Sequence, residues 1–211
     1  MEEKITEQTV FENLKDFRDV AKDLGIKYWL CEGLLLGLYR DGRPVTGDED
    51  DTDIAIREVD EKQRAMLLGG LMRKGFAIHV VDINGKAFVR DRVTVNGYFI
   101  SMQVVRNGNR IDIMIFREKD SVCWFGGGSD DHPYYLVFPS KFFTKQGTID
   151  WKGETFTTVP NIEEFLEYKY YKWRVPNLRK DGYDYSDPKI NRAYTNTWSI
   201  TNPKDLLPCE E

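Results

Sequence analysis

Between residues 7 and 24 apolar side chains return at three- and four-residue intervals (Val10, Leu14, Phe17, Ala21, Leu24), with lysines, aspartates and glutamates between them. That period puts them on one face of a helix, which Gly25 ends. Ile26 to Cys31 predicts a buried strand, and Leu34 to Tyr39 a short apolar helix closed by the turn Asp41-Gly42-Arg43-Pro44. Asp60 and Gln63 have capping-box spacing ahead of a helix through Met66, Leu67 and Leu71 that Gly75 stops. Beyond Phe76 the period falls to two. Strands are expected at Ala77 to Val81, Lys86 to Arg90, Tyr98 to Val105 and Arg110 to Phe116, the last two joined by Asn107-Gly108, a primed-turn hairpin signal. Asn161 and Glu164 repeat the capping spacing ahead of a helix that turns Ile162, Phe165, Leu166 and Trp173 inward, with Pro176 beyond its end. From Asn177 the chain is polar and aperiodic, an irregular tail expected to pack through Tyr194 and Trp198.

These elements describe an α+β domain, a mixed sheet flanked by helices, with a core over about residues 7 to 176 and a tail over 177 to 211. Charged residues at 31%, hydrophobic residues at 41% and a net charge of −5 over 211 residues are ordinary for a globular protein. They lack the basic footprint of a nucleic-acid binder, so no nucleic acid is expected as a partner. Cys31, Cys123 and Cys209 are far apart and form no C-x-x-C pair, which points away from a disulfide framework or a zinc site. No secretory apolar segment opens the chain and no apolar run is long enough to span a membrane. A cytoplasmic protein, or a segment of a larger one, is the expectation.

Charge changes the picture at Asp48-Glu49-Asp50-Asp51-Thr52-Asp53, five carboxylates that run directly into Ile54 and Ile56. Alternation puts Asp51, Asp53 and Ala55 on one strand face and Thr52, Ile54 and Ile56 on the other. Two carboxylates about 6.5 Å apart on one face repel by roughly 2.5 kcal/mol at an effective dielectric of about 20. A divalent cation reverses that sign. A solvated acidic loop is the competing reading; an EF-hand is excluded, because no glycine or glutamate falls at the required positions. Asp112 is a third carboxylate inside the apolar run Arg110 to Phe116, opposite in face to Ile111, Ile113 and Ile115. It reads either as a metal ligand or as a solvent-facing residue of a two-faced sheet. Ser121 to Ser129 is glycine-rich, and a plain flexible loop is favoured there over a phosphate cradle.

The stretch from Tyr28 to Ile56, YWLCEGLLLGLYRDGRPVTGDEDDTDIAI, resembles the LicD and fukutin family, a branch of the nucleotidyltransferase fold. That family carries a tryptophan strand, then G-T-L-L-G-x-x-R, then an acidic D-D-D-I-D-I strand. The resemblance extends to Arg110 to Phe116, to Trp124 to Gly128 with Leu136 to Phe142, and to Val159-Pro160 followed by Tyr171 to Pro176. It implies transfer of a phospho-alcohol (phosphocholine, ribitol phosphate or glycerol phosphate) from a CDP-activated alcohol to a glycan acceptor. It also implies Mg²⁺ or Mn²⁺ held by Asp51, Asp53 and Asp112, with Asp112 also able to take the proton of the attacking hydroxyl. Gly33 and Arg40 match the family's glycine and arginine, and with Lys141 they are the expected phosphate-binding residues; a surface pair with Asp41 is the competing role for Arg40. Leu34 stands where the family has threonine or serine, Val45-Thr46-Gly47 where it has I-P-W, and Lys172 where it has a glycine. The departures spare the three aspartates. Two other functions compete: a nucleotidyltransferase acting on a small hydroxylated acceptor, and a non-catalytic nucleotide or glycan binder.

Overall fold

The computed structural model describes residues 5–83, 85–95, 98–119, 121–128, 133–170 and 172–176. The tail expected from residue 177 onward, with the packing of Tyr194 and Trp198, lies outside these residues. The first helix, α1 (Glu7–Asp23), starts at Thr6, whose hydroxyl accepts the Thr9 N–H at 3.2 Å. A cap of this kind contributes about 1 kcal/mol. A short strand, β1 (Tyr28–Leu30), leads to α2 (Glu32–Asp41), which ends at Gly42 in the left-handed region. The acidic strand β2 (Asp51–Arg57) follows, then α3 (Glu61–Arg73), opened by the full Asp60–Gln63 capping box.

The strand region is more broken than its alternation predicts. Ala77 to Val81 divides at His79 into β3 (Ala77–Ile78) and β4 (Val80–Ile83), because the first half pairs with one sheet and the second with the strand β5 (Lys86–Val89). An unexpected strand, β6 (Val93–Val95), precedes β7 (Tyr98–Arg106) and β8 (Asn109–Lys119). The hairpin between the last two turns through Asn107 at φ 52° and Gly108 at φ 80°, both positive as a primed turn requires. The glycine-rich segment is no loop over Gly126–Gly128. It belongs to β9 (Val122–Gly128), paired through its length with β10 (Pro133–Pro139). Buried Cys123, Trp124 and Phe125 opposite Phe138, Val137 and Leu136 set the register, and backbone hydrogen bonds carry it on through the glycines. A second hairpin, β11 (Gly147–Trp151) and β12 (Glu154–Thr158), was absent from the sequence reading. The last helix, α4 (Ile162–Lys169), stops before Trp173; that tryptophan is buried all the same, in a turn beyond the helix.

Among the described residues ten strands form one mixed sheet, with β10-β9-β8-β2-β1-β12-β11 as its spine and β7 beside β8. Each face has its own core. Ile54, Ile56, Ile111, Ile113, Ile115, Met102 and Val104 pack under α1 and α3. Trp29, Ala55, Phe116, Phe125 and Phe138 pack with α2, α4 and the 3-10 turn at Ser140–Phe142 on the other. Asp51, Asp53 and Asp112 lie on this second face, by alternation with Ala55 and Met114, at the margin where the apolar cover stops. Among the described residues no helix is long and apolar enough to cross a membrane.

Candidate metal centre

Parallel pairing of β2 with β8 sets Asp51 beside Arg110 and Asp53 directly beside Asp112. One carboxylate oxygen from each of Asp51, Asp53 and Asp112 lies within 4.8 Å of the others. The resemblance implied this triad; the register is what assembles it. The entry to β2 is pinned from behind by buried Asn109, whose amide donates to Thr52 Oγ1 at 2.9 Å and to the Glu49 carbonyl at 3.0 Å. Asn13 on α1 in turn donates to Asn109 Oδ1 at 2.8 Å. The acidic loop therefore meets the sheet at one place.

Helix α2 closes over the same point. The Gly33 backbone N–H favours the ionised Asp53 carboxylate, and a Cβ at Gly33 would stand 3.0 Å from Asp48 Oδ2 and 3.7 Å from Asp53 Oδ2. A side chain here would press on the Asp48 carboxylate, so glycine allows the closest approach. Gly37, one turn on, serves the same approach: a Cβ there would meet the Val45 backbone nitrogen at 2.5 Å, so the turn after α2 packs flush against it. The Gly33 backbone thus lies against two carboxylates of the acidic site. Glu32, the first residue of α2, has a left-handed φ of 52° and pairs with Lys169, which is wholly buried at the end of α4. Such a φ costs a non-glycine residue about 1 kcal/mol or more and is sustained by surrounding contacts.

The charges at this site are poorly compensated. Burial, then the Asp51, Asp112 and Asp48 charges, push Asp53 well above the usual carboxylate range despite the Gly33 N–H. Burial and the Asp51 charge raise Asp112 to about 6, with Arg110 opposing. Burial and the Asp51 and Asp50 charges raise Asp48 to about 6 as well, and Asp51 is raised by burial against the pull of Arg110. The cation present is Arg110, donating from Nη2 to Asp51 Oδ2 at 2.7 Å and from Nε to Asp112 Oδ1 at 3.1 Å. The other oxygen of Asp51, Oδ1, is buried without a hydrogen-bond partner. Hard oxygens this close together, one of them unpartnered, could hold a divalent cation.

The two expected phosphate-binding cations are elsewhere. Arg40 sits at the far end of α2 in a two-pronged pair with Asp41, at 2.9 and 2.7 Å, and its Nη1 donates to the Trp173 carbonyl at 3.2 Å. The surface pairing with Asp41 is therefore the observed role. Lys141 pairs with Glu164 and lies over the Phe142 ring, in an open groove with Glu163, Glu167 and Arg174. In both cases a nearby carboxylate has taken the cation. Arg110, Asp48 and the Glu32–Lys169 pair were not singled out from sequence. Arg110 carried a readable signal, since it stands two residues before Asp112 on one strand and so shares its face.

Beside Asp112 on the next strand is Gln103, whose Oε1 lies 3.1 Å from His79 Nδ1. Backbone bonds tie His79 to Gln103 and Arg90 to both. A polar row thus runs from the acidic site toward the sheet edge.

A family model described as LicD/FKTN/FKRP, nucleotidyltransferase domain, matches residues 25–162. The chain is similar to the ribitol 5-phosphate transferase FKRP of Mus musculus, 28% identical over 157 residues, covering 72% of this chain and 29% of that protein. It is 26% identical over 156 residues to the Homo sapiens protein of the same name, with the same shares covered. The chain spans less than a third of the length of either relative. The matched span contains Gly33, Asp51, Asp53 and Asp112, the positions that form the acidic site.

Proposed function

The chain belongs to the LicD/FKTN/FKRP nucleotidyltransferase-domain family, and from that membership we propose that it is a metal-dependent transferase of a phospho-alcohol. The donor is a CDP-activated alcohol, with ribitol phosphate first among the groups transferred because the curated relatives are named for it. The acceptor is a glycan hydroxyl. The observation that carries this reading is the convergence of Asp51, Asp53 and Asp112 within 4.8 Å on adjacent parallel strands.

A Mg²⁺ or Mn²⁺ ion held by these carboxylates would bind the donor diphosphate and offset the charge that builds on the departing nucleotide. Asp53 lies against the Gly33 backbone, and Asp51 is bonded by Arg110 in the metal-free chain. The acceptor oxygen attacks the alcohol-bearing phosphorus. Its bond to the bridging oxygen breaks and CMP leaves. The hydroxyl proton goes to a carboxylate oxygen of Asp112, which stands beside Asp53 at the centre of the site. The polar row of Gln103 and His79 next to Asp112 gives an acceptor hydrogen-bonding groups on the uncovered part of the sheet face.

Transfer of the nucleotide itself is the second reading, favoured by the description of the matching domain. One assay separates the two. With CDP-ribitol, CDP-glycerol, CDP-choline, CTP and ATP supplied with Mg²⁺ and a glycan, CMP release with alcohol phosphate on the acceptor is the expected result. Pyrophosphate release would replace it with nucleotidyl transfer. Retained binding without turnover of any donor would make the chain a binder.

A further inference from the structure

We infer that Arg110 is an exchangeable counter-cation, holding Asp51 and Asp112 together until a divalent ion binds and then turning to the diphosphate of the donor. Its two bonds, 2.7 Å to Asp51 and 3.1 Å to Asp112, join two of the three carboxylates assigned to the metal. Guanidinium and ion draw on the same pair of carboxylates. They also repel each other at this range, so loading the ion weakens the hold on the arginine.

Three observations say where it goes. The Arg110 N–H donates to the Asp50 carbonyl at 2.8 Å and β8 is paired with β2 and β7 on its two sides, so the backbone is fixed and only the side chain can move. That side chain is 31% exposed, on the open part of the face. The other cations considered for phosphate are occupied at a distance, Arg40 by Asp41 and Lys141 by Glu164, while Lys169 is committed to Glu32. Arg110 is thus the described cation in contact with the triad, and its planar fork matches two phosphate oxygens at once. The unpartnered Asp51 Oδ1 leaves one carboxylate oxygen of the pair that Arg110 does not use.

The donor half of this inference rests on the reading of the site as one for a CDP-activated alcohol; the metal half does not. The test is Mn²⁺ binding to the metal-free protein by electron paramagnetic resonance, then CDP binding by calorimetry at saturating Mn²⁺, for the native chain, Arg110→Gln and Arg110→Lys. CDP supplies the diphosphate common to every donor proposed. Arg110→Gln is expected to bind Mn²⁺ about tenfold tighter than the native chain and CDP about tenfold weaker. Arg110→Lys keeps the charge and loses the fork, so its Mn²⁺ affinity stays near native while CDP binding falls. In the native chain the Arg110 Nε–H nuclear magnetic resonance signal moves on adding Mg²⁺ and again on adding CDP, a readout that no misfolded variant can imitate. Unchanged or weaker Mn²⁺ binding by Arg110→Gln overturns the exchange and makes the arginine a fixed clamp. Tighter Mn²⁺ binding with unaltered CDP affinity reduces it to a plug and overturns the second half. If the native chain with Mn²⁺ binds no CDP, the donor reading falls together with that half, whatever the Mn²⁺ titrations show.

Discussion

Neutralising Asp112 is expected to stabilise the metal-free protein. Asparagine at this position keeps the size of the side chain and an oxygen for the Arg110 Nε–H while removing the charge. The folded environment raises the Asp112 pKa from 3.8 to about 6, chiefly through burial and the Asp51 charge, with Arg110 already counted on the other side. A shift of about two units is about 3 kcal/mol against the ionised form. The sign follows directly. Below the unfolded pKa of 3.8 both states are protonated and nothing is lost; as pH rises through about 6 the native carboxyl must ionise against its surroundings and stability falls. The metal-free Asp112→Asn variant should therefore melt above the native chain at pH 8, by about 6–12 °C for a domain of this size, and the two should converge toward pH 4. Differential scanning calorimetry in chelator measures both. Adding Mn²⁺ at pH 8 should raise the native melting temperature and leave the variant nearly unmoved. A variant that melts below the native chain at pH 8 would show that the carboxylate is structural, and the reasoning about an uncompensated acidic site would fail with it.

Gly33→Ala places a methyl group 3.0 Å from Asp48 Oδ2; the fold should survive, with thermal stability in chelator within about 1 kcal/mol, while Mn²⁺ affinity measured by calorimetry falls. Unchanged Mn²⁺ binding would mean that the close approach of α2 has no part in the site. Lys169→Met strands the Glu32 charge beneath the second core, and a broken buried pair costs about 3–5 kcal/mol, whereas adding Glu32→Gln should recover much of it; chemical denaturation of the single and double variants measures the coupling.

Period-two reasoning alone placed Asp51, Asp53 and Ala55 on one face, because alternation in a strand needs no knowledge of its neighbours. Bringing Asp112 beside Asp53 needed the parallel register of β2 and β8, two strands separated in sequence by a helix and several further strands. No local pattern encodes that distance. The surroundings of the cations are hidden for the same reason: Arg40 and Lys141 match phosphate by chemistry and motif, and the carboxylates that they meet in the ligand-free chain depend on what the fold sets nearby. Gly126–Gly128 looked flexible by composition, but a strand paired with β10 takes its order from its partner's backbone as much as from its own side chains. Lys169 offered no signal at all: a lysine at the end of a helix is ordinarily a solvated charge at the negative pole of the dipole, and only the packing of α4 against α2 buries this one.

What sequence and structure jointly explain is why the acidic site is held under tension. The Gly33 N–H at the start of α2 favours the ionised Asp53, which still lies well above the normal carboxylate range. A helix N-terminus offsets about 1 kcal/mol, less than the repulsion of one neighbouring carboxylate at strand spacing, and Asp53 has Asp51, Asp112 and Asp48 around it. Arg110 bonds Asp51 and Asp112, and reaches Asp48 through its charge alone. A fold that wanted only stability would place an apolar residue at position 53, as it does two residues later at Ala55 on the same face. The rigid parallel pair of strands keeps the carboxylates from separating, and protonation or a small, doubly charged cation would each relieve the repulsion. Raising the pH removes the first. A divalent cation held by this triad, as proposed above, would supply the second.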